Sequence, residues 1–282
     1  MSGFETVELW TAPDGARLAL RRRQAEGTRR ASCIFVHGFG DHSGRYAKEA
    51  DWLAARGIAT FALDQRGSGR TPGARGHVSR FAQYLGDLVG LRRLVAVESP
   101  GKLLLFGHSH GGLIVLRYLE SAPSGIAGAI VTCPLVAVAM QVPRWKIALA
   151  RVLADLWPSL PIPSGMNLND LSHDPAVVAA VRSDPDSHQV MSPRAYREML
   201  AAQQLLPAEA GRISVPLFVG LAGNDRIVST PAARAFAGAL AGDVTVKVYD
   251  GLFHEILKED PRGGDVLADI APWLERVLER AA

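Results

Sequence analysis

Along the chain, short unbroken apolar runs alternate with stretches in which apolar residues return every three to four positions, the two signatures of strand and helix. Val7 to Trp10 and Leu18 to Arg22 predict two strands joined at Pro13-Asp14-Gly15, where glycine supplies a positive φ at little cost. Ser32 to His37 predicts a third strand, followed by a helix from Tyr46 to Arg56 that Gly57 closes. Ile58 to Leu63 is the next strand, then a glycine-rich loop and a helix from Ser79 to Val97. Lys102 to Phe106 is apolar throughout, as strands buried on both faces are. It runs through Gly107-His108-Ser109-His110-Gly111-Gly112 into a helix from Leu113 to Glu120, and Ile126 to Thr132 is strand again. After a break from Pro134 to Pro207 the pattern resumes with strand Leu217 to Leu221, helix Pro231 to Leu240, strand Val244 to Tyr249 and helix Asp265 to Arg280.

Repeated strand and helix units predict an α/β fold, a mostly parallel eight-stranded sheet with helices on both faces. The first two strands have no helix between them and fit an antiparallel edge. Residues 134–207 hold nine prolines and helical stretches but no clear strand, so they are expected to form a helical lid between core segments 1–133 and 208–282. Within it, Val142 to Trp157 predicts a helix on which Trp145, Leu149, Val152, Leu153 and Leu156 recur at helical steps. Arg144, Lys146, Arg151 and Asp155 spread about its other side. Most of the apolar face is expected to pack over the sheet. Its rim, with Trp145, Leu149, Leu153 and Trp157, is expected to meet substrate and to touch a membrane surface.

Composition narrows the classes. With 48% hydrophobic and 21% charged residues the chain can bury a core, which excludes disorder. Cys33 and Cys133, a hundred residues apart, do not make a disulfide scaffold. The 31 basic against 28 acidic residues leave too small an excess for a polyanion partner. Arg21, Arg22, Arg23, Arg29 and Arg30 form a cluster without interleaved aromatics, read as a solvated hairpin with its arginines outward and no nucleic acid partner. Met1 to Trp10, with Glu5 and Glu8 and no basic-then-apolar run, is not expected to be a signal peptide, and no apolar stretch reaches the ~20 residues of a spanning helix. A soluble, cytoplasmic protein is expected.

In an open parallel sheet the reactive groups gather beyond the carboxyl ends of the strands, and every notable cluster here sits at such an end. Gly107-His108-Ser109-His110-Gly111 has the G-x-S-x-G spacing of a tight strand-to-helix turn that lifts the serine hydroxyl clear of the sheet. A serine needs a base to take its proton and a carboxylate to hold that base. Asp225, in Gly223-Asn224-Asp225, and His254 follow the last two strands in the required order. Ser109, Asp225 and His254 are therefore assigned as nucleophile, orienting acid and general base; Asp250 and Glu255 lie too near His254 in the chain to serve as the acid. The backbone N–H groups of His110 and Phe39 are assigned to the oxyanion. His108 and His110 make an H-x-H pair with no third ligand at metal spacing, and the glycine loops lack a nucleotide-binding frame, so no metal or cofactor is expected. Cys133 reads as a buried inert thiol.

His37-Gly38-Phe39-Gly40-Asp41-His42-Ser43-Gly44-Arg45-Tyr46 resembles the H-G-x-x-[ED]-H-S-x-R-Y signature of the monoacylglycerol lipase and lysophospholipase group of α/β-hydrolases. Asp64-Gln65-Arg66-Gly67-Ser68-Gly69 is similar to that group's D-x-R-G-x-G loop, and Gly107 to Gly112 to its G-H-S-x-G-G elbow. The acid and histidine loops match as well, so the resemblance covers nearly the whole chain. It implies an α/β-hydrolase fold and a serine ester hydrolase acting on a fatty-acyl ester; His42, Arg45 and Asp64 would then lock loops rather than catalyse. The same triad also serves carboxylesterases and thioesterases on smaller esters, and the fold also occurs in non-catalytic binding proteins. One departure stands out: His110 occupies the place where the group usually has methionine.

Overall fold

The computed structural model describes residues 3–5, 7–139 and 143–280, without the side chains of Arg144 and Lys146. Val142, the first residue of the expected lid helix, lies outside the described residues. Two strands open the chain, β1 (Glu8–Thr11) and β2 (Arg17–Arg23). Then follow β3 (Ala31–Val36), α1 (Ala47–Ala54), β4 (Ile58–Leu63), α2 (Ala82–Glu98), β5 (Leu103–His108), α3 (His110–Leu119) and β6 (Ile126–Thr132). An insertion carries α4 (Arg144–Leu156), β7 (Ile162–Pro163), α5 (Pro175–Ser183), β8 (Val190–Met191) and α6 (Pro193–Glu209). The chain closes with β9 (Leu217–Ala222), α7 (Thr230–Gly238), β10 (Val244–Tyr249) and α8 (Gly263–Glu279).

Eight strands form one sheet in the order β1-β2-β4-β3-β5-β6-β9-β10. β1 and β2 pair antiparallel, β2 joins β4 antiparallel, and the remaining pairs are parallel. β3, β4 and β5 are buried at every position, which is why they read as unbroken apolar runs. On α8, Val266, Ile270, Trp273, Leu274 and Val277 return at helical spacing, and all are buried against the sheet. This is the α/β-hydrolase architecture expected above. The order reverses direction around β3, and the loops after β3, β5, β9 and β10 all open at the carboxyl ends of the parallel strands.

The structure departs from the sequence reading in three places. Arg29 and Arg30 are exposed, but the arginines of β2 are not outward: Arg22 and Arg23 are half-buried, and Arg21 is buried with Nη1 2.6 Å from both Asp64 Oδ1 and Ser43 Oγ. Arg22 lies between Glu8 and Glu98, Arg23 between Asp51 and Glu26, and Arg30 pairs with Glu275. Apart from Glu26, three residues on from Arg23, these acids lie on other elements and were invisible to a local reading. Most of the apolar face of α4 is exposed rather than packed on the sheet, with Trp145 at 65% and Leu156 at 78%; Ala154 is its buried contact. α4 instead rests against α6. Finally, β7 and β8 pair as a two-residue antiparallel ladder inside the insertion, and α6 runs through Pro207 to Glu209.

Candidate active site

Ser109 stands at the turn between β5 and α3 with φ 54° and ψ −117°, a left-handed backbone that residues with a β-carbon seldom adopt. The turn is that sharp because its neighbours lack side chains. A Cβ on Gly111 would fall 2.1 Å from the Val36 carbonyl oxygen, and one on Gly107 2.6 Å from that of Gly111. The strained conformation is tied down from both sides, the Ser109 amide donating to Thr132 O at 2.9 Å and the Leu135 amide to Ser109 O at 3.0 Å.

His254 follows β10 and Asp225 follows β9. His254 Nε2 is 2.8 Å from Ser109 Oγ, and its Nδ1 is 2.8 Å from Asp225 Oδ2. All three groups are largely removed from solvent. Burial alone would raise the pKa of Asp225. His254 and the amides of Val228 and Ile227, both 2.9 Å from Oδ1, outweigh it and hold the carboxyl below its ordinary value. The result is a fixed carboxylate, a histidine whose Nδ1 it engages, and a hydroxyl at the other ring nitrogen: the geometry that makes a serine nucleophilic.

The loop after β3 lies directly beside the serine, since a Cβ on Gly38 would touch Ser109 Cβ at 3.4 Å. His37 Nε2 accepts the Gln65 amide at 2.9 Å, so Nδ1 carries the proton and donates to Gly38 O at 2.8 Å. Phe39 lines the cavity next to Ser109, and His110 opens α3 with its amide at the helix N-terminus. The His110 ring packs edge-on against Tyr84 and Phe81 beneath the site, and burial pushes its pKa down to about 3. His108 lies on the other side, its ring centroid 5.0 Å from that of His254; burial, with His254 and Lys258 adding to it, also pushes its pKa to about 3.

A charged frame surrounds this centre. Arg45 makes a two-point bond to Glu255, at 3.0 and 2.9 Å, and a third to Asp41 at 3.0 Å, so it joins the loop after β3 to the residue that follows His254. Burial works against the charges of Asp41 and Glu255, but Arg45 and Lys258 keep both carboxyls below their ordinary values. Asp64 bonds Arg21 and Ser43, and His42 Nδ1 accepts the Gly44 amide while Nε2 donates to Asp184 at 2.7 Å. These are the loop-locking contacts expected of His42, Arg45 and Asp64. Asp184, from the insertion, escaped the sequence reading because nothing local marks it as a partner of a residue 142 positions away.

Above Ser109 opens a cavity of about 510 Å³. Asp41, Arg45, His108, His254 and Glu255 are among its polar lining residues, and Leu135, Met166, Leu168 and Met191 among its apolar ones. Of the α4 residues expected to meet substrate, Trp145, Leu149 and Leu153 line it. Trp157 does not: it is 61% exposed and is not among the described lining residues. It caps the end of α4, one residue beyond the last helical turn that reaches the cavity.

The sequence profile of the family described as "Serine aminopeptidase, S33" matches residues 27–261. The monoacylglycerol lipase of Mycolicibacterium smegmatis is 32% identical over 248 residues, covering 87% of this chain and 88% of that one. Phospholipase YtpA of Bacillus subtilis is 28% identical over 237 residues, covering 82% and 90%. Among solved structures, the monoacylglycerol lipase of Paleococcus ferrophilus superposes with a TM-score of 0.83 at 31% identity, covering 92% of this chain and 99% of that one.

Proposed function

The chain belongs to the serine aminopeptidase S33 family of α/β-hydrolases, and from that premise we propose that it cleaves the ester of a monoacylglycerol through an acyl-enzyme on Ser109. The observation carrying this reading is the relay of two 2.8 Å hydrogen bonds, Asp225 to His254 to Ser109, opening onto a cavity with apolar walls. Ser109 Oγ attacks the ester carbonyl as His254 Nε2 takes its proton, and the Asp225 carboxylate stabilises the imidazolium that results. The amides of Phe39 and His110 donate to the oxyanion. His254 then returns the proton to the departing glycerol oxygen. In the second half a water gives its proton to His254 as it attacks the acyl-Ser109 ester; His254 then passes that proton to the departing Ser109 Oγ, releasing the fatty acid and restoring Ser109.

Electrostatics choose between head groups. Among the described residues lining the cavity, Arg45 carries the one permanent positive charge, and Asp41 and Glu255 already hold it. A phosphodiester would find no uncommitted cation on the described lining, which favours an uncharged glycerol head over a lysophospholipid. Residues 134–207 act as a cap, with Trp145, Leu149 and Leu153 against the acyl chain. The exposed ridge of α4 and Trp157 rest on the lipid surface from which substrate is drawn. Among the described residues no helix is long and apolar enough to cross a membrane.

The test has two arms. A fluorophosphonate probe should label the wild-type protein and leave Ser109→Ala unlabelled; labelling of the variant would overturn the nucleophile assignment. Relative kcat/KM across monoacylglycerols, lysophospholipids and short-chain esters should peak among monoacylglycerols. Equal or faster turnover of lysophospholipids would overturn the head-group choice and leave the relay standing.

A further inference from the structure

The chain just beyond β6 touches both halves of the relay. Thr132 and Leu135 bracket Ser109 through its amide and carbonyl, and Thr132 Oγ1 bonds His108 Nδ1 at 3.0 Å. Between them stands Cys133, 1% exposed, its amide donating to Gly220 O of β9 at 2.8 Å. Its backbone is left-handed, φ 44°, a conformation retained by a residue with a β-carbon only where the surroundings over-determine it. Cys133 Sγ, a carboxylate oxygen of Asp225 and a ring nitrogen of His254 all lie within 4.8 Å of one another.

Asp225 offers four lone-pair positions. The Ile227 and Val228 amides share Oδ1, and His254 Nδ1 takes one side of Oδ2. Those three donors leave one position on Oδ2 for the thiol. We infer that Cys133 is a positioning residue: its S–H donates to the Asp225 carboxylate, fixes Oδ2 toward His254 and draws off part of the negative charge that His254 feels. The inference rests on Asp225 and His254 serving Ser109 as proposed above. Burial, with the charge of Asp225 behind it, raises the thiol's pKa well above its ordinary value, so the sulfur keeps the proton it donates.

The sign of the effect follows. Without the S–H donor, Asp225 presents more negative charge to His254 and holds the imidazolium proton more firmly. The acid limb of kcat/KM, which reports deprotonation of the base, then moves to higher pH. The other titratable groups facing the pair are His108 from β5, Tyr249 from β10, and Glu255 and Lys258 from the loop beyond it. All four are retained in each variant below.

The experiment compares Cys133→Ala, Cys133→Val and Cys133→Ser with the wild type for kcat, KM, the pH profile of kcat/KM and Tm. Alanine and valine should lower kcat about tenfold with KM within about twofold, and move the acid limb up by about half a pH unit. Serine, which restores a donor, should return kcat to within about threefold and bring the limb back. Valine fills the space that alanine empties, while its β-branch strains the left-handed backbone that alanine tolerates, so a limb shift common to the two comes from the lost donor rather than from a cavity or from strain. A wild-type acid limb in alanine and valine, or a serine variant as slow as alanine, overturns the inference. Ser109→Ala in the same assay keeps the two readings apart. If it stays active, the relay itself fails; if it is dead, the Cys133 variants judge the thiol alone.

Discussion

At Ser109 the proposed nucleophile and the strain that presents it are inseparable, because the left-handed turn exists only while Gly107 and Gly111 let β5, α3 and β3 approach. Gly111→Ala would push a methyl to 2.1 Å from the Val36 carbonyl, which no rotamer change can relieve. It should lower Tm and activity together. Asp225→Asn, by contrast, keeps the volume and the two amide bonds to Oδ1 but loses the charge and favours the wrong histidine tautomer. It should cost roughly 10⁴ in kcat with Tm changed little. A Gly111→Ala protein with wild-type Tm, or an Asp225→Asn protein within tenfold of wild-type kcat, would remove these roles. The residue pattern made Ser109, Asp225 and His254 legible because spacing and strand-end position carry their chemistry. It left Cys133 as an inert thiol, since a left-handed turn after Thr132 has no sequence signature when the residue is not glycine.

At the scale of elements, the insertion meets the core at several points, Ser192 with Gly76, Glu198 with Phe81 and Leu171 with Glu255 among them, and one turn of it reaches the loop after β3. From the segment after α5, Asp184 holds His42, Asp186 holds Arg70 at 2.9 Å, and the His188 amide donates to Gly40 O at 2.9 Å while its ring stands edge-on to Phe39. The loop after β3, to which the oxyanion donor Phe39 is proposed to belong, is thus braced by the insertion as well as by β3. None of these pairings is local in sequence, so helical periodicity revealed α4 but not what α4 faces. Its stripe of Trp145, Leu149, Val152 and Leu156 turned out to be exposed, and continuous through Trp145 and Leu149 with the cavity lining. Val152 and Leu156 are not among the described lining residues, which separates docking from catalysis. Val152→Ser with Leu156→Ser should weaken co-sedimentation with neutral phospholipid vesicles by about tenfold or more, given the transfer free energy of two aliphatic side chains. Turnover of a water-soluble short-chain ester should change less than twofold. Unchanged co-sedimentation would remove α4 as the docking ridge.

For the whole molecule, the alternation of strand and helix was enough to give the sheet, its antiparallel edge and the loops that converge on one end, because strands buried on both faces carry their own signature. What composition concealed is the state of the charges. The formal +3 counts the histidines as neutral, and the fold itself enforces that count for several of them. Burial lowers His37, brings His108 and His110 to about 3, and brings His188 to about 4. Each of these groups binds a proton in the unfolded chain near pH 6.5 and resists it in the folded one. The stability they confer is complete above about 6.5 and is lost as pH falls toward their folded values. Glu120, raised to about 7 by burial, works the opposite way over the same range, being protonated in the folded state and ionised in the unfolded one. A comparison that changes one group cancels the rest. His110→Met removes a single buried imidazole of depressed pKa, so the variant should gain on the wild type as pH falls. The difference in unfolding free energy should grow by at most about 1.4 kcal/mol per pH unit between roughly pH 6 and pH 4. Urea unfolding of both proteins at half-unit intervals measures it. Parallel curves across that range would mean that the His110 ring takes up its proton in the folded state, and that Phe81 and Tyr84 do not keep it dry.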